Sequence, residues 1–178
     1  MSTIPSPVIS IANRKISLNH PTYFIADIAA NHDGDLERAK MLIRLAKEAG
    51  AEGAKFQNFR APKIISDYGF RSLGDQLSHQ AEWSKSVYEV YDDASVPFEW
   101  TPILKEECDK VGIHYFSAPY DYEAIEMLDP YVPAFKAGSG LMSFCAFFAP
   151  FCWDVNQPPV SKLYKEIDKK VYLYLNKI

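Results

Sequence analysis

The chain has 178 residues, 48% of them hydrophobic and 24% charged, with a net charge of -4. That is the composition of one globular domain or part of a larger one, and it excludes a disordered segment. The acidic balance gives no reason to expect a nucleic-acid partner. Cys108, Cys145 and Cys152 are odd in number and lack a metal-ligand spacing, which fits a reduced protein. No basic-then-apolar leader opens the chain, and the longest apolar run, Leu141 to Trp153, is too short to span a bilayer. A soluble cytoplasmic protein with no membrane partner is expected.

In chain order, Val8 to Ile11 and Lys15 to Leu18 are short β-prone pieces around Asn13-Arg14, so residues 1–21 read as an N-terminal hairpin extension. Tyr23 to Ile28 reads as the first buried strand and delivers Asp27 near its C-terminal end. A polar turn follows, and Asp35 is a plausible N-cap. Leu36, Ala39, Ile43 and Ala46 repeat at helical spacing, and Gly50 fits the C′ stop. Ala51 to Phe59 is the next strand. Its alternation puts Lys55, Gln57 and Phe59 on one face and Ala54, Phe56 and Asn58 on the other. A buried ammonium needs an anion, which a protein carboxylate or a ligand can supply. Strand, helix, strand makes a βαβ unit with a right-handed crossover.

Residues 60–98 exceed a simple connection, and insertions of this kind often cover a site. Leu77, Ala81, Ser84, Val87, Tyr88 and Tyr91 suggest a helix within it. Thr101-Pro102 predicts a helix start, with Thr101 as N-cap and Gly112 at the end. Ile113 to Ser117 reads as a third strand. Asp121 caps a short helix carrying Ala124, Ile125 and Leu128. Val132 to Lys136 reads as a fourth strand running into Gly138-Ser139-Gly140.

This alternation predicts an α/β fold with parallel strands. Asp27, Lys55, Gln57, Ser117, Lys136 and Ser139 all sit at or just beyond strand C-termini, where both open sheets and barrels place their sites. No phosphate-binding glycine loop occurs. Polar contributions from every strand favour a barrel mouth. A (β/α)8 barrel needs about 250 residues, so residues 22–140 read as an incomplete barrel of about four βα units. After Gly140 the sequence turns apolar without period. Residues 141–178 form an atypical tail, read either as a cap on the sheet or as the product of a disrupted reading frame.

Phe24-Ile-Ala-Asp-Ile-Ala-Ala-Asn-His-Asp-Gly-Asp35, Ala46-Lys-Glu-Ala-Gly-Ala51, Ala54-Lys-Phe-Gln57, Glu107-Cys-Asp-Lys-Val-Gly-Ile113, Ser117-Ala-Pro-Tyr-Asp121 and Val132-Pro-Ala-Phe-Lys-Ala-Gly-Ser-Gly140 together resemble the sialic acid synthase (N-acetylneuraminate synthase) family. The resemblance implies a (β/α)8 barrel and a homodimer. It implies condensation of phosphoenolpyruvate with N-acetylmannosamine or a related amino-sugar aldehyde. It assigns Lys55 and Lys136 to the phosphate and carboxylate of the donor and Ser139 to the phosphate. Gln57 falls to the sugar or the enolpyruvate, and Ser117 belongs to the substrate-binding set. Asp27 stands where most relatives have Glu, as an acid/base or hydroxyl-orienting group. Asn31 and His32 shape the signature turn. Ala118 stands where many relatives have Thr, and Leu141 where they have an acidic residue. Mn²⁺ or Mg²⁺ is implied, with ligands in barrel strands that this chain does not carry. Two other readings remain: a class I aldolase with a Schiff base on Lys55 or Lys136, and a degenerate, non-catalytic fragment. Little or no turnover is expected of this chain alone.

Overall fold

A computed structural model describes residues 8–72 and 83–136. The chain divides into two compact units, Met1–Ala134 and Phe135–Ile178. All regular elements among the described residues lie in the first.

The N-terminal hairpin forms as expected, with β1 (Ile9–Ile11) antiparallel to β2 (Arg14–Ile16). A three-stranded parallel sheet then runs β3 (Ile25–Ala29), β4 (Gly53–Asn58) and β5 (His114–Pro119), in that spatial order. Helix α1 (Leu36–Glu48) connects β3 to β4. Asp35 caps it by accepting from the amides of Glu37 and Arg38, and Gly50 ends it in the left-handed conformation, φ 87°. Its buried stripe is Ala39, Ile43 and Ala46. Between β4 and β5 lie α2 (Ala61–Ile64), α3 (Asp67–Ser72), α4 (Val87–Asp93) and α5 (Trp100–Val111). Leu77 and Ala81 of the helix expected here lie outside the described residues. Helix α6 (Tyr122–Leu128) follows β5, with Asp121 capping the Ala124 amide.

Three expectations are corrected. Thr101 is not the N-cap of α5. The helix starts at Trp100 out of a turn in which the Trp100 amide donates to the Pro97 carbonyl, and Thr101 is buried. The strand from Tyr23 is not buried throughout. Among the described residues it lies at an edge of the sheet, and only Ile28 of β3 is buried, while Phe24 and Ile25 are 62% and 42% exposed. Val132 to Lys136 forms no regular strand. Pro133 has no amide to give to a ladder, and the segment crosses the boundary between the two units.

Register separates the two faces of the sheet. Ala54 pairs with Tyr115 and Phe56 with Ser117, so these side chains share one face. The rings of Phe56 and Tyr115 stack there, 5.7 Å between centroids. Helices α1 and α5 cover this face and are joined by Arg44 Nε to Glu107 Oε1 at 2.6 Å. Asp27, Lys55 and Phe116 pair in a row on the opposite face, with Gln57 beside Ala118 one step further along.

Candidate functional site

The site is built around Lys55. Its side chain is only 5% exposed, and its Nζ lies 2.6 Å from Asp27 Oδ1, whose own side chain is 65% exposed. The contact is a close ion pair without hydrogen-bond alignment, and among the described residues Nζ has no other partner. An ammonium group carries three donors. One solvated carboxylate therefore leaves an enclosed cation with hydrogen-bonding capacity to spare. Such a group favours an anion, because a desolvated charge without adequate partners costs roughly several kcal/mol.

Asp27 faces Lys55 as its regular ladder partner, and it is the last such residue before the ladder breaks. The register with β4 shifts between Asp27 and Ala29, and Ala29 takes a left-handed φ of 51°. A bulge of this kind bends a strand and re-aims its side chains. The loop beyond is tied by Asn31 Nδ2 to the Ile28 carbonyl (2.8 Å) and by Arg38 Nε to the Asn31 carbonyl (2.8 Å). His32 is wholly buried in it. Its Nδ1 accepts from the Gly34 amide at 3.1 Å, and its ring meets Trp100 edge-on, 5.6 Å between centroids. Burial pushes the His32 imidazole below its usual value of 6.5, against the opposing pull of Asp33 and the Ala94 carbonyl.

At the C-terminal ends of the strands, the ring of Phe59 contacts those of Tyr91 and Tyr120, 5.6 and 5.7 Å between centroids. Burial raises the Tyr120 phenol, and the nearby phenol of Tyr91 and carboxylate of Asp27 add to the rise. Arg60 follows Phe59 and donates through Nε and Nη2 to Asp121 Oδ2 (3.1 and 2.9 Å) and through Nη1 to Glu123 Oε2 (2.5 Å). Its guanidinium sits 5.4 Å from the centroid of the Phe98 ring. The hydrogen bond from Arg60 holds the Glu123 carboxyl below the usual range. The exits of β4 and β5 are thus braced together.

The other end of this face is closed. Tyr23 hydrogen-bonds His114 Nδ1, and Phe116 packs edge-on to both rings. Burial and Glu52 push the Tyr23 phenol up to about 12. Arg14 of the hairpin pairs with Glu52 at 3.0 Å. Gly53 is required beneath Phe116, since a Cβ there would lie 2.6 Å from ring atom Cε2.

The structure therefore brings Asp27, Lys55 and Gln57 to one face. It does not bring Ser117 to them. Ser117 lies on the helix-covered face, fully buried, donating from Oγ to Asn58 Oδ1 at 2.6 Å. Lys136 belongs to the second unit, and Ser139 lies outside the described residues. The sequence reading passed over Tyr120 and Arg60, although Tyr120 sits directly after β5 and Arg60 two residues after β4, the one signal that pointed to them. Among the described residues, no three His, Cys, Asp or Glu side chains gather as a metal ion would require. No helix among them is long and apolar enough to cross a membrane.

The α/β unit has known counterparts. The model of the NeuB family matches residues 42–152, past Gly140 and over more than half of the chain. The chain is 34% identical over 128 residues to the human (Homo sapiens) N-acetylneuraminate-9-phosphate synthase, covering 71% of this chain and 35% of that protein. It is 34% identical over 119 residues to a pseudaminic acid synthase of Campylobacter jejuni, covering 66% and 34%. Among solved structures, it superposes on the N-acetylneuraminic acid (sialic acid) synthetase of Leptospira borgpetersenii, in complex with citrate, with a TM-score of 0.65 and 26% identity. That match covers 80% of this chain and 45% of the other. The chain belongs to the NeuB family. It spans about a third of the length of the curated relatives it matches.

Proposed function

We propose that this chain carries the donor-binding part of a sugar-acid synthase that condenses phosphoenolpyruvate with N-acetylmannosamine or a related amino-sugar aldehyde in the cytoplasm. The observation that carries this is the enclosed Lys55 ammonium, with Asp27 as its one ion-pair partner among the described residues. A donor bearing phosphate and carboxylate together is the kind of anion such a group recognises. In this reading Lys55 holds one anionic group of the donor and Lys136, with Ser139, the other. Gln57 stands one step nearer the strand ends and meets the sugar or the enolpyruvate. Asp27 orients Lys55 and is placed to accept a hydroxyl proton. The enol carbon adds to the aldehyde carbon, water attacks the resulting cationic centre, and phosphate leaves. Clamped cations stabilise that anionic leaving group.

The architecture proposed is an incomplete (β/α)8 barrel working in a homodimer. Strand order is sequential, and α1 and α5 lie on one face, whereas a doubly wound sheet reverses its order and covers both faces. Isothermal titration of phosphoenolpyruvate into the chain tests the donor site. Wild type is expected to bind and Lys55→Met to lose binding; equal affinity of the two refutes the role of Lys55. A Schiff base on Lys55 would require that amine to leave its 2.6 Å pairing with Asp27. Borohydride is therefore expected to trap no adduct with pyruvate.

A further inference from the structure

The loop between β3 and α1 turns through three residues of positive φ, of which glycine accepts that region freely, aspartate tolerates it and alanine does not. Ala29 and Asp33 have φ of 51° and 49°, and Gly34 has 72°. At Ala29 the surroundings must therefore enforce that conformation. On the outside, Arg38 spans the loop, pairing with Asp33 at 3.1 Å and donating to the Asn31 carbonyl. Those contacts are exposed. Inward, His32 is the one loop side chain without accessible surface. It is keyed between Trp100, at the start of α5, and the Ala94 carbonyl, after α4, while Nδ1 takes the Gly34 amide. An acceptor at Nδ1 means that nitrogen bears no proton, so the neutral ring carries its hydrogen on Nε2. Nε2, the nitrogen left to face the Ala94 carbonyl, does not reach full hydrogen-bond geometry. The register shift that opens this same loop begins directly after Asp27, the ladder partner of Lys55.

We infer that His32 is a positioning residue for the Asp27–Lys55 pair, acting through Nδ1 on the Gly34 amide and so on the backbone that leaves β3. The ring fills the space beside Trp100, but the acceptor nitrogen sets the path of the loop. The consequence for phosphoenolpyruvate rests on the donor-site reading above. The consequence for Lys55 does not.

Two variants separate shape from acceptor. His32→Phe keeps a ring against Trp100 and removes the acceptor, and His32→Asn keeps an acceptor close to the Nδ1 position and removes the ring. Gly34 amide exchange by NMR and the rate of Lys55 acylation by an amine reagent, read by mass spectrometry, are followed in each. In His32→Phe, Gly34 is expected to exchange about tenfold faster, the scale of one lost hydrogen bond, and Lys55 to be acylated faster. His32→Asn is expected to restore both towards wild type. Unchanged rates in His32→Phe, or identical rates in the two variants, overturn the inference. Should His32→Phe not fold, nitrogen chemical shifts of wild-type His32 decide: a proton on Nδ1 overturns the inference, and a proton on Nε2 upholds it. Wild type that binds no phosphoenolpyruvate, yet shows the Gly34 and Lys55 effects, upholds the positioning role and sinks the donor-site reading alone.

Discussion

Gly53 and Phe116 set a tight limit at the residue scale. The Phe116 ring lies where a Cβ would stand and is wedged by Tyr23 and His114, so it has little room to swing. Gly53→Ala is expected to destabilise the fold by about 1–3 kcal/mol, as overpacking does. Adding Phe116→Leu should return part of that loss, and urea unfolding of the two variants measures it. Lys55 and Asp27 are unequal partners. Asp27→Asn leaves an enclosed cation unpaired and is expected to cost about 1–3 kcal/mol. Lys55→Met removes the buried charge and strands only a solvated carboxylate, so its melting temperature should not fall even as phosphoenolpyruvate binding is lost. His32 adds a pH dependence. Its folded value lies below 6.5, so the unfolded chain takes up the proton first as pH falls. The stabilisation is complete above about 6.5 and is lost as pH drops through the depressed folded value. His32→Asn should flatten that limb of the stability–pH curve. Burial of Lys55 and its need for a carboxylate were legible in the alternation of one strand. The side on which Ser117 falls was not, because parity between strands depends on register, which no single strand encodes.

At the scale of elements, the ends of α1 and α6 and the glycine stops at Gly50 and Gly112 follow from local chemistry, and the sequence shows them. Thr101 has the chemistry of a cap, but packing of the first turn of α5 over the sheet buries it. Tertiary context decides there, and a local rule misses it. The brace at Arg60 is of the same kind, joining residues 61 and 63 positions apart in sequence. It is solvent-facing, so its effect is local order more than global stability. Arg60→Ala should speed amide exchange at Ala124 and through α2, with little change in the melting temperature. Exchange rates equal to wild type there would remove the brace from the account.

For the whole molecule, the edge formed by β3 is the salient surface. Phe24 and Ile25 are exposed beside an edge strand, and Met41 and Leu45 are exposed on α1. Exposed apolar edges invite association, and sedimentation of the purified chain should show self-association. A clean, stable monomer would contradict this. With phosphoenolpyruvate, N-acetylmannosamine and Mn²⁺, the chain alone is expected to show turnover far below about 1 per second, an ordinary enzyme rate.

The closed end made by Tyr23, His114 and Phe116 also dictates traffic. With that end filled, Lys55 is approached over Asp27, whose side chain is 65% exposed, and from the side of Gln57. Lys55 lies deeper than Gln57 by about 7 Å, two residues of strand. A donor seated on Lys55 and a sugar meeting Gln57 would have to be held together for their carbons to join, so initial-rate kinetics of a complete enzyme built on this plan should be sequential.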